Sequence, residues 1–182
     1  ATWKIIDATH EENAMVRGLK LAGNAGHQKA LLAGMLAVKD EVDCAVTMDA
    51  DLQDDLAVIA KMVDAYKNGS HVVYGVREDR KTDSFFKKNT AALFYKGMKW
   101  MGTPIIPGHA DFRLMSALAL KALDGYGEGE LFLRTLIPGM KLPSSCVYYA
   151  RKRRLAGVTK YPFRKMVAFA LQGIISSSLV PL

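Results

Sequence analysis

Three groups of residues in this 182-residue chain carry side chains that can do chemistry. In the first, Asp49 and Asp51 stand one residue apart and are followed by Gln53, Asp54 and Asp55. They come directly after Val42 to Met48, an apolar and β-branched run that predicts a buried strand. An Asp-x-Asp at the carboxyl end of such a strand puts two carboxylates at the edge of an α/β sheet, where open sheets bind ligands. Two hard oxygen donors that close suit Mg²⁺ or Mn²⁺, ions that usually keep waters and ligand phosphates as their other partners. A metal-bridged phosphate site is therefore the first expectation. The plain alternative is a solvated acidic loop that caps the next helix. The strand before the pair and Gln53 after it favour the metal.

The second group is His109, Asp111 and Arg113, after a Gly/Pro-rich loop. On a strand, Asp111 and Arg113 share a face. They read either as a structural ion pair that pins the loop, or as a carboxylate that orients a hydroxyl or takes a proton. His109 could do likewise, although a lone loop histidine is more often only exposed. Arg77 ends a further strand and is expected on the same sheet edge as the aspartates, with a solvated charged turn as the alternative. The third group is the basic stretch 151–165, with Arg151, Lys152, Arg153, Arg154, Lys160, Arg164 and Lys165 and no acidic residue. An apolar run from Phe163 to Val180 adjoins it. A basic loop beside an apolar helix suits an anionic membrane surface better than nucleic acid. A core helix with a solvated loop is the alternative.

The elements that must position these groups follow from periodicity. Helices are expected from Trp3 to near His10, from His27 to Val38, from Asp54 or Asp55 to Lys67, and from Ser84 to Met101. Further helices are expected after a Ser116 cap to Leu123, over Leu131 to Ile137, and over 162–178. Strands are expected over Ala14 to Leu21, 42–48, His71 to Val76, Phe112 to Met115 and Ser145 to Ala150. Strands alternating with helices argue for an α/β fold with a mainly parallel sheet covered on both faces.

At this length the chain is one domain with a real core, and half of its residues are apolar. The net charge of +7 implies an anionic partner without naming it. Cys44 and Cys146 lack metal-ligand spacing and are expected as buried thiols in a reducing compartment. The first residues, Ala1-Thr2-Trp3-Lys4, do not read as a basic-then-apolar secretory leader, and no run reaches the roughly 18 to 20 apolar residues that span a bilayer. Neither a G-x-G-x-x-G nor a G-x-x-x-x-G-K-[ST] occurs.

Together these segments resemble the family-2 glycosyltransferases, and within them the polyprenyl-phosphate branch of dolichol-phosphate mannosyltransferase and bacterial polyprenyl-phosphate glucosyltransferases. The resemblance rests on Leu21 to Leu31 (an N-x-G-x-x-x-A-L-like stretch), Met48 to Asp54, Val73 to Arg77, Asp111 to Met115 and Arg151 to Tyr161. It implies a GT-A fold and an inverting, metal-dependent transfer of a sugar from a nucleotide-sugar donor to polyprenyl phosphate. It also implies residue roles. Asp49, Asp51 and Gln53 would hold Mn²⁺ or Mg²⁺ and the donor. Asp51 and Asp111 would be catalytic, Asp111 beside the sugar. Arg77, Arg113, Arg154 and Lys160 would receive the lipid phosphate. That phosphate is already anionic near neutral pH, which favours an orienting role for Asp111 over a basic one.

The family's P-x-Y-N-E and D-D-G-S-x-D segments do not occur, so the nucleotide-binding start is expected to be missing. The W-x-G-[FY] segment is absent from Pro138 to Ser145. The resemblance thus implies a catalytic domain over 1–161 and a membrane-proximal amphipathic helix over 162–182, at the cytoplasmic side of a membrane, with UDP-glucose the preferred donor. Self-association through the apolar helix is conceivable. A transferase acting on a polysaccharide or other soluble acceptor, and an inactive surface-binding module, are the rival readings.

Overall fold

The computed structural model describes residues 2–51, 53–78, 106, 108–126 and 132–150. The expected helices at Ser84 to Met101 and 162–178, the basic stretch, Arg154 and Lys160 all lie outside the described residues.

Four strands form one sheet: β1 (Cys44–Thr47), β2 (Val72–Arg77), β3 (His109–Ser116) and β4 (Ser144–Tyr149), in the order β1-β3-β2-β4. β2 and β4 pair in parallel, whereas β3 runs antiparallel to both β1 and β2. The sheet is therefore mixed, which corrects the expectation of mainly parallel pairing. Three strands share one direction, and the reversed β3 lies between two of them. The carboxyl ends of β1, β2 and β4 and the beginning of β3 consequently meet at one sheet edge. Thr47, Arg77, Tyr149 and His109 all stand there.

Helices cover both faces, as expected. On one face, Val58 and Met62 of α3 (Val58–Lys67) pack against Val73, Phe112, Leu114 and Tyr149. On the other, Met35 of α2 (His27–Val38) joins Leu120 and Leu123 of α4 (Ala117–Asp124) and Leu133 and Ile137 of α5 (Leu133–Gly139) over Val72, Tyr74 and Met115. The alternation along β2 and β3 divides their side chains between these two cores. Each large apolar side chain so buried contributes roughly 1.5–3 kcal/mol.

The local chemistry explains the element ends. Ser116 Oγ accepts from Ala119 N–H at 3.2 Å and caps α4, as its sequence position predicts. α3 begins after Ala57, whose own side chain makes no cap, and ahead of it Asp55 Oδ1 accepts from Ala57 N–H at 3.4 Å. It ends at Asn68, beyond which Gly69 takes the positive φ of 96° that glycine adopts without strain.

Two further expectations change. Residues 14–21 form no strand: the segment runs back along α1 (Thr2–Glu12), with Gly18 close to Trp3 and Ile6 and with Lys20 Nζ 5.7 Å from the Trp3 ring centroid. His10 Nδ1 reaches Val16 O at 2.6 Å, so this backbone bonds to a helix side chain and not to a ladder. The cysteines are free, but Cys146 is exposed and Cys44 only half-buried, which corrects the buried-thiol expectation.

An irregularity separates β2 from β3 near the edge where these strand ends meet. Tyr74 pairs with Arg113, but Val76 pairs with His109, so β3 spends four steps where β2 spends two. Asp111 lies in this bulge, a device that re-aims side chains beside active sites. The Thr47 hydroxyl donates to the Asp111 carbonyl at 2.6 Å and so occupies a backbone acceptor next to the shift. Gly75 sits opposite, where a Cβ would come within 2.8 Å of both the Phe112 ring and its carbonyl oxygen.

Candidate functional site

Asp111 is the centre of a charged cluster. Its side chain is only 5% exposed. Arg113 Nη2 donates to Oδ1 at 2.6 Å, and Arg134 donates through Nη2 to Oδ2 at 3.1 Å and through Nε to Oδ1 at 3.4 Å. His27 Nε2 donates to Oδ2 at 3.0 Å. A carboxylate offers about four acceptor positions, and these contacts take them up. Burial opposes ionisation of Asp111. The His27 hydrogen bond and the Arg134 and Arg113 charges outweigh it and hold the carboxyl well below the usual carboxylate range. Such a group is a poor proton acceptor near neutral pH and a good anchor, in line with the orienting role.

Three elements deliver the cluster. Asp111 and Arg113 come from β3, and His27 opens α2. Arg134 lies in the first turn of α5. Gln28 Oε1 accepts from Leu133 N–H at 3.2 Å and ties the start of α2 to the start of α5, which fixes the spacing of His27 and Arg134. Neither His27 nor Arg134 stands out in the sequence as a site residue. His27 reads there as the polar start of a helix, and Arg134 as a lone cation in an apolar helical run.

Arg113, expected at a lipid phosphate, is instead 0% exposed and turned onto Asp111. Its place is beneath Asp111, where it fixes that carboxylate from within the sheet. His109 is buried as well. Its Nδ1 donates to Ile106 O at 2.7 Å, and its ring meets Tyr74 edge-on. Burial lowers its pKa to about 4, so it is neutral at physiological pH and belongs to the structure.

The acidic loop after β1 stands at the same edge. Asp51 Oδ1 accepts from Gln53 N–H at 3.2 Å, an Asx-type turn that holds the two side chains on one short loop. Asp49 and Asp51 are half-buried, and Gln53 is buried with its Oε1 lacking a hydrogen-bond partner among the described residues. Among the described residues no group of three or more His, Cys, Asp or Glu side chains could hold a metal alone. Two carboxylates and an unpartnered amide oxygen nevertheless fit a hard divalent cation that completes its shell with diphosphate oxygens.

Asp54, the residue after Gln53, anchors the loop to the sheet. The Tyr149 hydroxyl donates to Asp54 Oδ1 at 2.5 Å, and Arg77 Nη2 lies 3.6 Å from the same oxygen. Arg77 Nε donates to the Tyr149 oxygen at 3.4 Å. Burial, with the Asp54 hydrogen bond, pushes Tyr149 up to about 12, so the phenol keeps the proton it donates. Arg77, 26% exposed, is thereby held at the end of β2. The structure thus brings Asp49, Asp51, Gln53, Arg77 and Asp111 to one edge.

Comparison with known proteins bears on what this edge does. The profile of glycosyl transferase family 2 matches residues 1–137. A Bacillus subtilis (strain 168) protein, "uncharacterized glycosyltransferase YkoT", is 50% identical over 181 residues, 100% of this chain and 54% of the relative. The "bactoprenol glucosyl transferase" of Shigella phage SfX is 34% identical over 183 residues, 100% of this chain and 59% of its own length. The chain spans about half the length of these relatives.

Proposed function

Because this chain belongs to glycosyl transferase family 2 and has the family's GT-A fold, we propose that it is the catalytic part of an inverting hexosyltransferase that moves a sugar from a nucleotide-diphosphate donor to polyprenyl phosphate. The observation that carries this reading is the meeting, at one sheet edge, of the Asp49/Asp51/Gln53 loop with the arginine-anchored Asp111. The likeness over the full chain to proteins named bactoprenol glucosyl transferase supports a polyprenyl acceptor and, among donors, UDP-glucose ahead of GDP-mannose.

In this reaction an acceptor phosphate oxygen forms a bond to the anomeric carbon as the bond from that carbon to the donor diphosphate breaks. The electron pair leaves with the nucleoside diphosphate. Asp49, Asp51 and Gln53 hold Mn²⁺ or Mg²⁺, which when bound stabilises the charge that develops on the departing diphosphate. Arg77, with Arg154 and Lys160 from outside the described residues, receives the lipid phosphate and aligns it with the sugar. Asp111 orients the groups around the sugar and takes no proton, because the attacking oxygen already carries negative charge. The basic stretch 151–165 and the apolar run behind it bring the site to the cytoplasmic surface of a membrane. Among the described residues no helix is long and apolar enough to cross one.

The test is a transfer assay on the full-length protein in membranes, with polyprenyl phosphate and labelled UDP-glucose or GDP-mannose, with and without Mn²⁺. Metal-dependent label in the lipid fraction, lost in Asp51→Asn, is the expected result. Label in a water-soluble product would instead assign the chain to a polysaccharide-type acceptor.

A further inference from the structure

Resting on the reading of this edge as a glycosyl-transfer site, we propose that Tyr149 is a positioning residue for both sides of the reaction. Its one hydroxyl sets the loop of Asp51 and Gln53 through Asp54, and sets the acceptor arginine, Arg77, directly.

Three separate parts of the chain meet at this oxygen. Asp54 belongs to the loop after β1, Arg77 ends β2 and Tyr149 ends β4. The hydroxyl gives its proton to Asp54 Oδ1 at 2.5 Å and accepts from Arg77 Nε at 3.4 Å. Arg77 Nη2 lies 3.6 Å from the same Asp54 oxygen, so each group touches the other two. The phenol is used here both as a donor and as an acceptor.

The rest of Tyr149 holds that oxygen still. Its ring is buried and meets Phe112 edge-on, with the centroids 5.4 Å apart. Its carbonyl accepts from Glu78 N–H at 2.9 Å, and it stands in register with Arg77 on the parallel strand. Ring packing and the ladder therefore fix where the hydroxyl stands. Phenylalanine would keep both and lack only the oxygen.

What depends on the oxygen is the loop and the arginine. The Asp54 side chain is 1% exposed, and its Oδ2 has no partner among the described residues. Without the phenol, a buried carboxylate loses a hydrogen bond and is drawn toward water. Gln53 is its neighbour in the chain, and Gln53 N–H is bonded to Asp51 Oδ1 at 3.2 Å. A displacement of Asp54 thus passes to both residues assigned to the metal. Arg77 loses the acceptor that orients its Nε. A long side chain so freed must be ordered again by the incoming phosphate, which costs binding free energy.

One hydroxyl that serves two binding groups has a kinetic signature. Its loss weakens the metal and the lipid phosphate together and leaves turnover at saturation of both nearly intact. A hydroxyl that served only the fold would, when removed, lower the fraction of active enzyme. That lowers kcat and leaves both affinities unmoved.

The test compares purified full-length wild type, Tyr149→Phe and Tyr148→Phe in detergent, the last at the neighbouring phenol, which is 60% exposed. Mn²⁺ binding is read from the free-ion electron paramagnetic resonance signal, with no substrate present. Transfer kinetics give the KM for polyprenyl phosphate and the kcat at saturating Mn²⁺ and lipid. Tyr149→Phe is expected to bind Mn²⁺ about tenfold more weakly and to raise the lipid KM about tenfold, the scale of one lost hydrogen bond to a charged group, with kcat within about twofold of wild type. Tyr148→Phe should match wild type in all three. Wild-type Mn²⁺ affinity or wild-type lipid KM in Tyr149→Phe, a loss confined to kcat, or equal losses in Tyr148→Phe would overturn the positioning role and leave the transfer reading in place. A wild type that neither binds Mn²⁺ nor labels lipid would overturn the transfer reading itself, and the positioning role with it.

Discussion

Replacing Asp111 with Asn tests whether the cluster is held together by one carboxylate. Asn offers one acceptor oxygen in place of two and turns an amide N–H₂ toward guanidinium and imidazole donors. At least two of the contacts from Arg113, Arg134 and His27 are lost. Arg134 and His27 can turn to water, being partly exposed, but Arg113 cannot. With Nε and Nη1 already unpartnered, it becomes a buried charge with no counterion among the described residues. Removing one partner of a buried pair costs about 3–5 kcal/mol. For a chain of this size each kcal/mol shifts the melting temperature by about 2–4 °C, so a fall of roughly 6–20 °C is expected. The assay is thermal unfolding of the full-length protein by calorimetry, with Asp111→Asn/Arg113→Met measured beside it. The double variant removes both charges and should recover most of the loss. If Asp111→Asn melts within about 2 °C of wild type, or the double variant is no better than the single one, Arg113 does not depend on Asp111 and the anchoring argument fails.

Gly75→Ala forces a Cβ against the Phe112 carbonyl at the bulge. It should cost about 1–3 kcal/mol in a denaturant melt, and a neutral result would mean that the two strands separate easily. Tyr149→Phe removes the hydroxyl shared by Asp54 and Arg77 and should cost about 1–3 kcal/mol, read the same way. The two histidines should titrate oppositely by NMR. The hydrogen bond to Asp111 raises His27 above 6.5, so its contribution to stability is fully present below pH 6.5 and is lost as pH rises through the folded value. His109 is lowered to about 4, so stability falls as pH drops from 6.5 toward 4. Asp111→Asn should return His27 toward 6.5, and an unmoved His27 would contradict the assigned contact.

Much of this arrangement was legible in the sequence wherever it depends on local chemistry. The periodicity from His27 to Val38, the Ser116 cap and the β-branched run before Asp49 each carry their own physical signal, and the structure matches them. Strand direction carries none. A strand buried on both faces reads the same whichever way it runs, so the reversal of β3 could not be inferred. Residues 14–21 misled because their apolar content suits a strand, whereas a strand also needs a partner edge and this segment found α1. Arg113 misled in another way. An arginine two residues from an aspartate is equally compatible with a phosphate ligand and with an internal counterion, and burial alone separates them. His27 and Arg134 converge on Asp111 from distant parts of the chain, a proximity that no local spacing records.

The placement of β3 also orders the events of folding. Cys44 pairs with Ser116 and Val72 with Met115, so among the described residues β1 and β2 are joined through a strand made much later. During synthesis β1 and β2 emerge before β3, and the ladders that each makes with it wait until it arrives. Such long-range pairing is slow, because loop closure precedes any gain from contact. The nascent chain passes through a stage in which unpaired apolar strands are available to neighbouring chains, the condition under which aggregation competes with folding. The same bulged strand that assembles the candidate site therefore sets the moment at which the edges of β1 and β2 that face it are covered.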